Sequence, residues 1–380
     1  MVFFCIIAGK DSFDGGKYLK MDVEEIERME EKQRTMIDAR RLGEIFEDVA
    51  TKELAEYAYL YPAVKRLHRE MYTDPLRSKI RKEDLFKIAE EFFNTINPEL
   101  AETAKEIFRN ETKEFSPEKQ DINFLMPEDL WEGSYCVTIK IPGIIGITED
   151  MLEMAKEKGE EGYNQLLKTA RGKTITNITI PYSESITDLY SIAHEFTHYF
   201  IMQRRDSIGV LDEAVPQCME RIVDSFLLNL SDDDLARYNL DRKGLNEDVK
   251  RRQALAFAAR YCSVKKFNEK AKDKNIDRET AEHFRYLLAQ ICSSQFTRYP
   301  VEEQKRKILE LINIEDEDVL NKAGEILGMR WDSDFHRTIY ATKAVNDVRL
   351  VLEGYKKETQ QRASKMRERF GFKDIEEISH

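Results

Sequence analysis

The chain has 380 residues, of which 41% are hydrophobic and 35% are charged, a balance that excludes a wholly disordered protein. Its 72 acidic residues outnumber its 60 basic ones and give a formal net charge of -12. Because nucleic-acid backbones are bound by clustered Lys and Arg, we do not expect this chain to bind nucleic acid.

The cysteines indicate the compartment. They stand singly, without a CxxC pair, at Cys5, Cys136, Cys218, Cys262 and Cys292. An odd, scattered set argues against a disulfide framework and favours a reducing environment. The apolar start lacks the basic region of an export signal, and no apolar run approaches the roughly 18 residues of a membrane span. We therefore expect a cytoplasmic protein without a membrane span; the alternative is an export signal at the apolar start.

Helical spacing of apolar residues dominates the first third of the chain. It predicts helices within residues 22–60 and a pair of helices within 83–109, divided at Asn97-Pro98. The following stretch, 110–123, is polar and is the best candidate for a boundary in the first half of the chain. These features predict an N-terminal helical region over residues 1–122.

Two strands are predicted further along. Apolar and polar residues alternate over Tyr135–Ile141, and Thr174–Ile180 is a β-branched run that ends at Pro181. Helical patterning resumes near residue 186 and continues to the end, with a softer break at 331. We predict a mainly α protein with a small β-sheet, divided into a second region, 123–330, and a C-terminal helical extension, 331–380.

The segment after the second strand carries the motif HExxH, at His194, Glu195 and His198. Residues four apart on a helix share one face, so both imidazoles can bind one Zn²⁺ while Glu195 lies beside the attacking water. Ser185 and Asp188 form a plausible N-cap pair for this helix. A chance HExxH in such a chain has a probability of roughly 1% or less. The alternative is a pair of solvated or core histidines.

A third ligand is expected on the next predicted helix. Pro216 is tolerated only in a first turn, so this helix should begin near Asp212. Four polar residues follow at spacing i, i+4, i+7 and i+11 and share one face: Glu213, Gln217, Glu220 and Asp224. Such a stripe is ordinarily the solvated face of an amphipathic helix. After an HExxH helix, it is also the place for a ligand and for residues that hydrogen-bond to the ligands.

These motifs resemble the thimet oligopeptidase and oligoendopeptidase F family, zinc peptidases of the gluzincin type. Residues 180–198 resemble the family's strand, loop and HExGH helix, and 213–220 resemble its Glu-x-Pro-Ser-Gln-x-x-Glu. His283-Phe-Arg-Tyr286 resembles the helix whose phenols face the zinc. The match is strong over 178–224 and loose elsewhere within about 85–330.

The chain departs from the family in several places. Thr197 replaces the Gly of HExGH, and the proline of the second motif stands one place later. Only 14 residues separate His198 from Glu213, fewer than is usual, whereas 21 separate it from Glu220. The spacing thus favours Glu220, whereas the motif favours Glu213. Glu213 is preferred as the third ligand on its motif, and Glu220 is the alternative.

The resemblance implies a helical two-lobed metallopeptidase with a zincin-like catalytic domain over 123–330 and its small sheet beside the HExxH helix. It implies one Zn²⁺ per chain, Glu195 as the base, and short to medium oligopeptides as substrates. Tyr286 and His283 would donate hydrogen bonds to the oxyanion; the alternative is a packed aromatic and a surface histidine. The remaining polar residues would support the ligands: Gln217, Glu220 and Asp224. The run Thr174–Ile180 could be the edge strand along which a peptide lies.

Two other functions compete with a metallopeptidase. The first is a catalytically inactive peptide-binding protein of the same fold, which an intact Glu195 argues against. The second is a zinc hydrolase that acts on another amide. The cleavage preference, the physiological substrate and the oligomeric state are not predicted by the sequence.

Overall fold

The computed structural model describes residues 41–54, 79–112, 121–128, 134–141, 173–204, 212–250, 252, 278–314, 319–331 and 333–370. These residues are mainly helical and include one small sheet, which confirms the predicted class. Residues 41–54 and 242–250 are also helical. The other elements are α1 (Lys82–Ile96), α2 (Pro98–Arg109), β1 (Ile122–Leu125), β2 (Tyr135–Ile141), β3 (Lys173–Thr179), α3 (Asp188–Met202), α4 (Ala214–Leu228), α5 (Asp232–Arg237), α6 (Arg278–Phe296), α7 (Val301–Ile312), α8 (Val319–Leu327) and α9 (Asp334–Phe370).

The sheet has three strands in the order β1-β3-β2. β1 runs parallel to β3, and β2 runs antiparallel to it from the pair Tyr135–Thr179 to the pair Ile141–Lys173. Both predicted strands are confirmed, whereas β1 was not predicted because it begins at the end of a stretch read as a polar boundary. The proposal that Thr174–Ile180 is an edge strand is wrong. β3 is the central strand, and its backbone is paired on one side with β1 and on the other with β2.

The HExxH helix α3 is anchored by aromatic side chains on its face away from the histidines. Phe196 is fully buried, and its ring centroid lies 5.2 Å from that of Phe108, 5.8 Å from Phe124 and 5.9 Å from Phe93. These partners come from α2, β1 and α1, so one side chain of α3 touches three elements. This burial fixes which face of α3 is left for His194 and His198.

The second half of the chain is built from packed helices. α4 packs against α6 and α7, and α6 also packs against α9. The buried apolar side chains of α4 include Val215, Met219, Ile222, Val223 and Leu227. None of the described helices has both the length and the apolar character needed to cross a membrane.

Contacts in space between residues divide the chain into two compact units. The described part of the first unit comprises residues 79–204 and 233–240 with their gaps, and includes α1–α3 and the sheet. The described part of the second comprises 41–54, 212–232 and the described residues from 241 to 370, with α4 and α6–α9. The predicted division into 1–122, 123–330 and 331–380 remains a prediction.

Candidate metal centre

The helix α3 begins where Ser183 and Ser185 hydrogen-bond to the Asp188 carboxylate. The backbone N–H of Ser183 donates to Oδ2 at 2.8 Å, and that of Ser185 donates to the same oxygen at 3.4 Å. The N-cap residue is Thr187 and not Ser185 as predicted, but the predicted pair does interact, since the Asp188 carboxylate reaches back to the Ser185 N–H as in half of a capping box. Burial raises the pKa of Asp188 to about 6, although the Ser183 and Ser185 hydrogen bonds favour its charged form.

His194 and His198 lie on one face of α3, one turn apart, as their spacing predicts. Their Nε2 atoms are 3.2 Å apart, and their ring centroids are 4.9 Å apart. The two rings therefore lie against each other rather than extending separately into solvent. A pair of solvated or core histidines stays the alternative interpretation.

Glu213 completes the group. It is the N-cap residue of α4, it is 5% exposed, and α3 ends with Gln203 as its C-cap. Within the described residues, one group of metal-ligating side chains is found, and it consists of His194, His198 and Glu213. Its ligand atoms all lie within 4.8 Å of one another. These three residues could hold a metal ion.

The polar face of α4 is buried, not solvated. Its residues are 5%, 3%, 8% and 9% exposed, in the order Glu213, Gln217, Glu220 and Asp224. The solvated-face interpretation of this stripe is therefore wrong. Asp224 lies 3.6 Å from the guanidinium of Arg221, and within the described residues Oε1 of Gln217 accepts no hydrogen bond. Burial of so many polar groups costs stability unless hydrogen bonds, ion pairs or a metal ion replace their contacts with water.

Glu195 follows His194 in the chain and is 1% exposed. The hydroxyl of Ser134, just before β2, donates a hydrogen bond of 2.7 Å to its Oε1. Sequence reasoning missed Ser134, because nothing in the sequence relates the start of this strand to a helix 61 residues later. The one available signal was the two-residue period of a strand, which places Ser134 on the same side as Cys136. Burial raises the pKa of the Cys136 thiol well above its usual range, and the nearby charge of Glu195 raises it further.

Thr197 occupies the position where the resembled family has glycine. Its side chain is fully buried, and its Oγ1 donates to the carbonyl of Ala193 at 2.7 Å. The hydroxyl is thus satisfied within α3, in the i−4 bond that Thr can make in a helix. This departure from HExGH leaves the helix regular over Asp188–Met202.

The residues expected to bind the oxyanion lie on α6. Tyr286 is half-buried there, while the side chain of His283 lies outside the described residues. The neighbouring Arg285 forms an ion pair of 3.6 Å with Asp212, the residue before Glu213. This contact connects α6 to the turn that carries Glu213. The catalytic roles of Tyr286 and His283 remain predictions.

No protein-family model matches this chain, and searches of curated proteins and of solved structures found no match either. The resemblance to the oligopeptidase family therefore rests on the motifs themselves.

Proposed function

We propose that the protein is a zinc-dependent metallopeptidase that hydrolyses peptide bonds in short to medium oligopeptides. The observation that carries the proposal is the convergence of His194, His198 and Glu213, with the buried carboxylate of Glu195 next in the chain to one ligand. Two imidazoles, one carboxylate and an adjacent base are the components of a hydrolytic zinc site with one open position.

The distances support zinc as the ion. Zn–N bonds are about 2.0–2.1 Å, and a tetrahedral angle then separates two nitrogen ligands by roughly 3.3 Å. The Nε2 atoms of His194 and His198 are 3.2 Å apart. Their separation needs no rearrangement of α3 for both to bind one ion. The donor set also suits zinc better than Mg²⁺ or Ca²⁺, which prefer oxygen ligands alone.

Each residue then has a role. Zn²⁺, when bound, supplies polarisation of the scissile carbonyl and a lowered pKa for the attacking water. Glu195 takes the proton of that water on a carboxylate oxygen and delivers it to the leaving amine. Tyr286 and His283 donate hydrogen bonds to the carbonyl oxygen as it gains charge. The buried polar residues that follow Glu213 on α4 would support the ligands: Gln217, Glu220 and Asp224.

The proposal includes the class of substrate and the cellular location of the enzyme. A helical two-lobed enzyme of this kind would accept peptides of about five to fifteen residues, since a 15-residue extended chain already spans about 50 Å. Folded proteins would be cut much more slowly. A cytoplasmic location suits an enzyme that degrades peptides released by other proteases.

The test combines metal analysis with a library of quenched-fluorescent peptides. One equivalent of zinc together with peptide cleavage, both lost after dialysis against a chelator, is the expected result. Zinc without cleavage of any peptide would favour a hydrolase of another amide. A chain that binds no zinc would favour the inactive peptide-binding protein and overturn the proposal.

A further inference from the structure

The strand β2 contacts α3 along one face. Ser134, Cys136 and Thr138 are two residues apart, so their side chains point to the same side of the strand. The Ser134 hydroxyl donates to Glu195 at 2.7 Å, and the Thr138 hydroxyl contacts Sδ of Met202 at 3.1 Å. Cys136, between them, is buried beside the charge of Glu195.

These contacts follow the strand and the helix in parallel. From Ser134 to Thr138 the strand advances about 13 Å, and from Glu195 to Met202 the helix advances about 10 Å in the same sense. Thr138 also contacts the hydroxyl of Thr176 on β3 at 3.0 Å, which ties this face to the centre of the sheet. β2 is also paired with β3 along its whole length, from Tyr135–Thr179 to Ile141–Lys173, so the position of Ser134 against Glu195 does not depend on the Thr138 hydroxyl alone.

We propose that Ser134 is a positioning residue for the reaction and that its hydroxyl fixes the carboxylate of Glu195 in the orientation needed to accept a proton. A glutamate has three side-chain torsions, and a base is effective only within hydrogen-bond reach of the proton that it takes. The Ser134 hydrogen bond engages Oε1 and prevents rotation of the carboxylate. The other oxygen, Oε2, is then held in one orientation toward the proton that it accepts.

The proposal rests on the function proposed above, and it makes a claim about kcat. Hydrogen bonds to charged groups are strong enough that losing one changes an equilibrium by roughly ten- to a hundredfold. Ser134 touches the base and none of the proposed zinc ligands in the described contacts. Its removal should therefore lower kcat and leave zinc content and KM nearly unchanged.

The experiment compares Ser134→Ala and Ser134→Thr with the matched control Thr138→Val, which removes the other hydroxyl on the same strand face. Zinc content, kcat and KM are measured for each zinc-loaded variant on one quenched-fluorescent peptide. Ser134→Ala should lower kcat about tenfold or more with KM within about twofold. Ser134→Thr, which keeps a hydroxyl, should recover most of this loss, and Thr138→Val should remain within about twofold of wild type.

A second measurement does not depend on activity. In metal-free protein, a double-mutant cycle of Ser134→Ala with Glu195→Ala, followed by urea unfolding, should give a coupling of about tenfold in the unfolding equilibrium constant. The proposal is overturned by additivity in this cycle, by a Ser134→Ala variant with kcat within twofold of wild type, or by an equal loss in Thr138→Val. A zinc-loaded wild-type chain that cleaves no peptide rejects the proposed function instead, so the two failures are distinguishable.

Discussion

The Nε2 atoms of His194 and His198 approach to 3.2 Å on successive turns of α3. That separation suits two ligands of one ion, and it also suits a hydrogen bond between a donor and an acceptor ring. Glu213 adds a carboxylate to the pair, since the ligand atoms of the three residues lie within 4.8 Å of one another, and two imidazoles with one carboxylate are a donor set that zinc accepts. A carboxylate at 5% exposure is costly unless a positive charge or hydrogen bonds stabilise it.

The first prediction separates the base from the ligands. Glu195→Gln should retain about one zinc per chain and lose nearly all turnover, because the amide keeps the shape of the side chain but cannot accept the proton. His198→Ala is the matched control and should lose the metal as well as the activity. Elemental analysis and peptide turnover measure both. Residual activity above a few percent in Glu195→Gln would contradict the assigned role.

The second prediction concerns the third ligand. Glu213→Ala should weaken zinc binding more than Glu220→Ala, because Glu213 belongs to the converging group. Loss of a residue that only hydrogen-bonds to a ligand typically costs about 10–100-fold in affinity, and loss of the ligand itself should cost more. Both variants are titrated against one chelator. If Glu220→Ala releases the metal and Glu213→Ala holds it, the assignment should be reversed.

Local patterns predicted the elements that carry the site. The four-residue spacing of His194 and His198 gave their common face, and Pro216 gave the start of α4 near Asp212. These features depend on helix geometry over one or two turns, which residue spacing encodes directly. For the same reason, the alternation over Tyr135–Ile141 was sufficient to predict β2.

Long-range features were not predictable in this way. The polar stripe from Glu213 to Asp224 has the spacing of a solvated face, and only its packing in the fold buries it. The central place of β3 depends on β1, whose four residues carry too short a pattern to identify. The contact of Ser134 with Glu195 joins residues 61 apart. Strand order and strand-to-helix register are properties of the folded chain, and no local period specifies them.

The third prediction tests the anchoring of α3. Phe196→Ala should destabilise the metal-free protein by about 3–5 kcal/mol, because it removes a fully buried ring that contacts three elements. Phe335→Ala is the control: this phenylalanine is also helical but is 70% exposed, and its loss should change stability by about 0.5 kcal/mol or less. Urea unfolding measures both. Equal effects would contradict the described packing of Phe196.

The last prediction is a pH dependence of stability that originates at Asp188. Its pKa in the folded protein is about 6, above the ordinary 3.8, because burial penalises the charged form. Between these values the folded state binds a proton that the unfolded state has released. The free energy of unfolding therefore falls as pH rises from about 4 to 6, by about 3 kcal/mol for this group alone. At lower pH the contribution of Asp188 is fully favourable.

Asp188→Asn should remove this dependence. The amide oxygen can accept from the N–H groups of Ser183 and Ser185, which share Oδ2, while the amide nitrogen can donate to the Ser183 hydroxyl after that group rotates. The variant should thus gain stability relative to wild type as pH rises from 4 to 6, in metal-free protein unfolded by urea. Asp84→Asn should behave oppositely, since Arg81 and Lys87 lower the pKa of Asp84. Loss of the Asp84 carboxylate lowers the free energy of unfolding at neutral pH. The difference between Asp84→Asn and wild type disappears as pH falls through the folded pKa of Asp84. A constant difference between Asp188→Asn and wild type across pH 4–6 would show that Asp188 does not titrate as a buried carboxyl.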